Sequence, residues 1–86
     1  MKYYYQDRYL FEVRQWKNGF GVYVTNTGTG YTATATPDVC EQMEMAWPHD
    51  WQPYFPNLMQ CRATIALDEL AAMNGMTPVE EIGARP

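Results

Sequence analysis

A chain of 86 residues, 47% hydrophobic and 15% aromatic, makes one domain (1–86) with a limited core rather than a disordered segment. At that length folding buries only roughly 60–65% of the surface of the unfolded chain. Residues 1–35 carry four cations against two acids, and residues 36–86 carry two cations against eight acids. The net charge of −4 therefore divides into +2 and −6, which disfavours broad phosphate binding and suits a basic partner surface.

The first residues, MKYYYQDRY, lack the apolar core of a leader peptide, and no apolar run reaches membrane-spanning length. A soluble, cytoplasmic protein without a membrane partner is the expectation. Tyr3–Tyr5 reads either as an extension of the first strand or as an irregular aromatic end. Cys40 and Cys61 read as reduced thiols packed as small apolar groups, unless the chain is exported.

Residues 8–25 form the strongest structural signal: RYLFEVRQW, a Lys-Asn-Gly turn, then FGVYVT. Asn18-Gly19 matches the two central positions of a type I′ turn, whose twist suits a hairpin. With those two residues as the loop, Trp16 faces Gly21, Arg14 faces Tyr23 and Val13 faces Val24. Alternation puts Tyr9, Phe11 and Val13 on one side with Val22 and Val24, a β-branched and aromatic core face. The opposite side carries Arg8, Leu10, Glu12, Arg14 and Trp16 with Tyr23 and Thr25. There Trp16 can cover a strand glycine and Arg14 can lie on the Tyr23 ring.

Asn26–Gly30, NTGTG, lacks the Lys-Ser/Thr ending and following helix of a phosphate loop, so it reads as a hairpin connection. Tyr31–Ala35 alternates strictly and predicts a third strand, its alanines leaving room for a helix. Thr36-Pro37-Asp38 is a helix start, with a hydroxyl cap, proline at the first helical position and an acid in the first turn. That helix is expected to reach about Ala46, with Val39, Cys40, Met43, Ala46 and Trp47 inward. Asp38, Glu41 and Glu44 fall on its other side, beside an exposed Met45.

Residues 47–56, WPHDWQPYFP, alternate Trp47, Trp51, Tyr54 and Phe55 with Pro48, Pro53 and Pro56. Prolines block helix there and predict an extended crossover. Its rings either plug the open end of the core or leave Trp51 or Tyr54 as interface anchors. Asn57 with Gln60 makes a capping box for a main helix whose inward residues are Met59, Ala63, Ala66, Leu67, Leu70 and Met73. Asn74-Gly75 ends it, with Gly75 left-handed and Met76 folding back. The alternation of Met59, Cys61, Ala63 and Ile65 also permits a fourth strand, but cap and stop favour helix. Thr77-Pro78-Val79-Glu80 predicts one further short helical turn ending at Gly83.

The fold expected is thus α+β: a three-stranded antiparallel meander packed against a main C-terminal helix, with a shorter helix after the third strand. An exposed third-strand edge would let the protein be either monomer or homodimer.

Chemistry is thinly represented. His49 and Asp50 are sequence neighbours on a loop, which seldom orients a catalytic pair. Cys40, Cys61 and His49 lack the close ligand pairs of a zinc site. No catalytic residue, metal or cofactor is therefore expected, and no motif places the chain in a family. A non-enzymatic protein-binding domain is the expected function, using Asp38, Glu41 and Glu44 with Trp51 or Tyr54 against a larger basic protein or complex. Small acidic domains of this type are common among phage and mobile-element inhibitors of CRISPR or restriction complexes. The alternative is a single-stranded nucleic-acid module on the hairpin face, using Arg8, Arg14, Trp16, Lys17 and Tyr23.

Overall fold

The computed structural model describes residues 2–45 and 58–79, with Trp16 placed by its backbone alone. The elements are β1 (Lys2–Tyr5), β2 (Tyr9–Trp16), β3 (Gly19–Asn26), β4 (Thr32–Thr34), α1 (Pro37–Gln42), α2 (Gln60–Asn74) and β5 (Thr77–Pro78). An antiparallel sheet is ordered β4-β3-β2-β1-β5, and α2 lies across it against β2 and β3. The α+β class, the β2-β3-β4 meander and the C-terminal helix are as expected. The strand count is not: there are five among the described residues, rather than three.

Both extra strands are held by pairings that local sequence does not announce. Tyr3–Tyr5 forms a strand of its own, with Tyr3 opposite Phe11 and Tyr5 opposite Tyr9. Its turn back into β2 needs left-handed backbone at Gln6 (φ 56) and Asp7 (φ 58), without a glycine to signal it. Thr77 and Pro78 pair with Tyr4 and Tyr3 rather than beginning a helical turn. The Val79 N–H donates to the Lys2 carbonyl at 2.9 Å, which extends this edge by one bond. Proline is tolerated there because an outer strand needs no donor on its free side. Glu80 and Gly83 lie outside the described residues.

The hairpin turns one residue earlier than Asn18-Gly19 implies. Lys17 and Asn18 make the connection, Lys17 adopts φ 46, and Gly19 enters β3 opposite Trp16. Pairing partners therefore shift by two residues: Arg14 faces Gly21 and Glu12 faces Tyr23, while Val13 faces Val22. An even shift preserves which side chains share a face. It also sets Phe11 opposite Val24, where the expected register would have set it opposite Asn26. All eight residues of β2 are thereby matched to all eight of β3.

The NTGTG segment is the hairpin connection expected of it. Asn26 Oδ1 accepts from the Gly28 N–H at 2.9 Å, and the Asn26 carbonyl accepts from Gly30 N–H at 2.7 Å. Gly30 takes φ 81, a conformation that glycine enters without cost from a Cβ. Beyond it, Thr25 and Thr32 share a hydroxyl hydrogen bond of 2.7 Å across β3 and β4.

α1 starts at the expected cap, the Thr36 hydroxyl accepting from the Val39 N–H at 3.3 Å with Pro37 beginning the helix. It ends at Gln42, short of Ala46, because Glu44 turns left-handed (φ 59) and the Met45 N–H reaches back to the Cys40 carbonyl at 2.9 Å. That reversal carries Met45 inward to 5% exposure, overturning its expected place at the surface. Ala46 and Trp47 lie outside the described residues.

α2 starts at Gln60 rather than from an Asn57 cap. Leu58 is held beforehand by two backbone bonds to Phe20, of 2.8 and 2.9 Å, so the helix can begin only after it. Asn57 itself lies outside the described residues, and the fourth-strand alternative over 59–65 is not adopted. Ala63, Ala66, Leu67, Leu70 and Ala71 turn inward at helical spacing. Met59 and Met73, expected inward, are 70% and 51% exposed. Gly75 (φ 62) closes the helix as expected, and the Met76 N–H donates to the Ala71 carbonyl at 3.0 Å.

One cluster of buried side chains joins these parts: Tyr9, Phe11, Val22 and Val24 from the sheet, Cys40, Met43 and Met45 around α1, and Leu67, Leu70, Ala71 and Met76 around α2. Tyr5 meets Phe11 edge to face, with centroids 6.2 Å apart. Alanines at 63, 66 and 71 let the helix backbone approach the strands closely. No helix among the described residues is long and apolar enough to cross a membrane.

Candidate functional site

α1 and its closing turn carry the acidic surface. Asp38, Glu41 and Glu44 are all exposed, and Asp38 and Glu41 line a shallow recess with Gln42. Glu44 stands not on the helix but on the left-handed residue after it. Its N–H donates to the Glu41 carbonyl at 3.0 Å, keeping the third acid within a turn of the second. Neither ion pair among the described residues uses any of the three.

A rigid support lies beneath them. The Tyr9 hydroxyl donates to the Met43 carbonyl at 3.0 Å inside the protein, and Cys40 and Met43 are 1% and 6% exposed. The acids are therefore presented from a turn anchored to the central strand. Burial pushes the Cys40 thiol up to about 12, so it stays protonated at neutral pH. Cys61, expected to pack as an apolar group, is exposed on α2; both cysteines are free thiols.

Trp51 and Tyr54, the expected apolar anchors, lie outside the described residues, as do Phe55, His49 and Asp50. Among the described residues, no three His, Cys, Asp or Glu side chains gather closely enough to hold a metal ion.

The residues of the alternative hairpin surface are spread along β2 and β3 and their turns. Arg8 and Lys17 are exposed but occupy the turns at opposite ends of β2. Arg14 lies opposite Gly21 rather than Tyr23, and bonds Glu12 at 2.9 Å. Tyr23 is only 8% exposed, leaving little of its ring for a base. Trp16 pairs with Gly19 at the end of the hairpin.

Glu12 is the residue that sequence reasoning passed over. It is 7% exposed and sits between Lys2, at 3.7 Å, and Arg14, at 2.9 Å. One acid thus offsets two of the four cations of the N-terminal half. Lys2 is its direct cross-strand partner and Arg14 shares its face two residues on. Only knowledge that Lys2–Tyr5 pairs with β2 would have revealed the trio.

The far end of β1 is tied to α2 by the Tyr3 hydroxyl, which donates to Asp68 Oδ1 at 2.9 Å. That bond, with a smaller effect of desolvation and the carboxylate charge, raises the Tyr3 phenol pKa. Asp68 thus accepts a bond that joins β1 to α2. Comparison with protein-family models, curated proteins and solved structures finds no match for this chain.

Proposed function

We propose that this protein is a non-enzymatic binding domain that docks its α1 surface onto a basic patch of a larger protein or complex. The observation carrying this reading is the trio Asp38, Glu41 and Glu44: exposed, outside the ion pairs, and fixed to the core through Met43. Three carboxylates on a pre-formed turn lose little conformational freedom on binding, so their charge serves association rate and partner choice. The −6 balance of residues 36–86 reinforces attraction to a cationic surface at longer range.

Surfaces that hold a nucleic-acid backbone are the most concentrated cationic patches available to such a domain. Inhibition of a nucleic-acid-handling defence complex, of the kind phages and mobile elements direct against their hosts, is the specific form of the proposal. Cytoplasmic location belongs to the same reading. Trp51 and Tyr54 would add apolar anchoring beside the charges.

Affinity capture of host proteins on the wild type and on D38K/E41K/E44K, compared quantitatively, tests this. The reading expects a specific partner with a basic surface, retained by the wild type and lost by the variant. A partner held equally by both would remove α1 from the account.

A further inference from the structure

Among the described residues, three of the four exposed large hydrophobic side chains lie on or beside one element: Met59 (70%), Ile65 (56%) and Met73 (51%) of the α2 region. Next to them is a groove of about 290 Å³ lined by Leu58, Arg62, Ile65, Ala66 and Glu69. Within α2 the positions 62, 65, 69 and 72 follow the alternating three- and four-residue steps of a helix–helix seam. Along that seam apolar Ile65 and Ala72 alternate with Arg62 and Glu69.

The order of charges identifies the occupant. Arg62 and Glu69 stand equally far on either side of the midpoint between Ile65 and Ala66, and carry opposite signs. Neither belongs to an ion pair among the described residues. We infer that the occupant is a second copy of the chain, its α2 lying antiparallel about a two-fold axis through that midpoint. This places Arg62 of each copy against Glu69 of the other, with the two Ile65 side chains near the axis. Ile65 of each copy enters the groove of the other, which Ala66 helps to line. Such an interface is self-complementary, as a two-fold contact must be. A parallel arrangement would bring like charges together at both positions. The 15 residues of α2, about 22 Å long, limit the contact to a reversible dimer. The seam lies on a different element from the α1 acids and does not depend on what they bind.

Sedimentation equilibrium of the full chain, over a concentration series at low salt, tests the inference. The wild type is expected to be a dimer that dissociates on dilution. Ile65→Glu should be monomeric, and at dilutions where the wild type is also monomeric its thermal unfolding should be unchanged, because the side chain is already more than half exposed. Arg62→Glu alone should weaken the dimer about tenfold, since two symmetry-related attractions become repulsions. R62E/E69R should restore it. A wild type that stays monomeric up to about 1 mM overturns the inference. So does a dimer indifferent to Ile65→Glu, and so does a double reversal that fails to restore association.

Discussion

The Tyr9 hydroxyl and the Met43 carbonyl, 3.0 Å apart and buried, connect the central strand to the turn that holds the acidic surface. Thirty-four residues separate them, so the bond is a tertiary fastening rather than a local cap. Tyr9→Phe keeps the ring and leaves the carbonyl without that donor. The loss should cost about 1–2 kcal/mol and lower Tm by roughly 5–10 °C. Thermal unfolding of the variant checks this, and an unchanged Tm would show that the turn is held by other means.

The two thiols should behave as opposites. Cys61 is exposed and Cys40 is 1% exposed with its pKa pushed up to about 12. At pH 8 a thiol reagent should modify one equivalent in the native protein, and the second only after unfolding. The same burial gives a pH dependence of stability. The folded-state pKa lies above the ordinary value of 9.0, so the folded protein binds the proton more tightly. Its contribution is complete below pH 9 and is lost as pH rises toward 12. The stability advantage of the wild type over Cys40→Ala should narrow across that interval in chemical denaturation. A constant difference would refute the assignment.

Gly75 isolates a backbone effect from a packing one. It holds φ 62, and a Cβ placed there would meet nothing within 4 Å. Gly75→Ala should therefore lose about 1 kcal/mol from the left-handed conformation alone. Denaturant unfolding should show a lower midpoint with an unchanged slope. No loss would mean that the helix end relaxes to another cap.

These relationships divide into what neighbouring residues announce and what they do not. Thr36-Pro37 at the start of α1 and Asn74-Gly75 at the end of α2 are local devices, each satisfying backbone groups within a few residues, and both stand where expected. The inward face of the hairpin was legible for the same reason: alternation survives a two-residue change in register. The elements that escaped are set by a turn without glycine, between β1 and β2, or by partners distant in sequence. β1 exists because β2 offers it an edge, and Thr77-Pro78 extends because Tyr3 and Tyr4 lie beside it. Leu58 delays α2 through Phe20, and the left-handed Glu44 ends α1 and turns Met45 inward. The acids of the candidate site were readable as a pattern, whereas the neutralising role of Glu12 required the sheet order.

The dependence of partner affinity on ionic strength, for the wild type and for D38N/E41Q/E44Q, tests the central claim most directly. Neutralising three exposed carboxylates that face cations should weaken Kd about tenfold to a hundredfold at low salt. The wild-type Kd should rise steeply with added salt and approach that of the variant as screening removes the attraction. Superimposable curves for the two proteins would contradict a binding surface built on Asp38, Glu41 and Glu44.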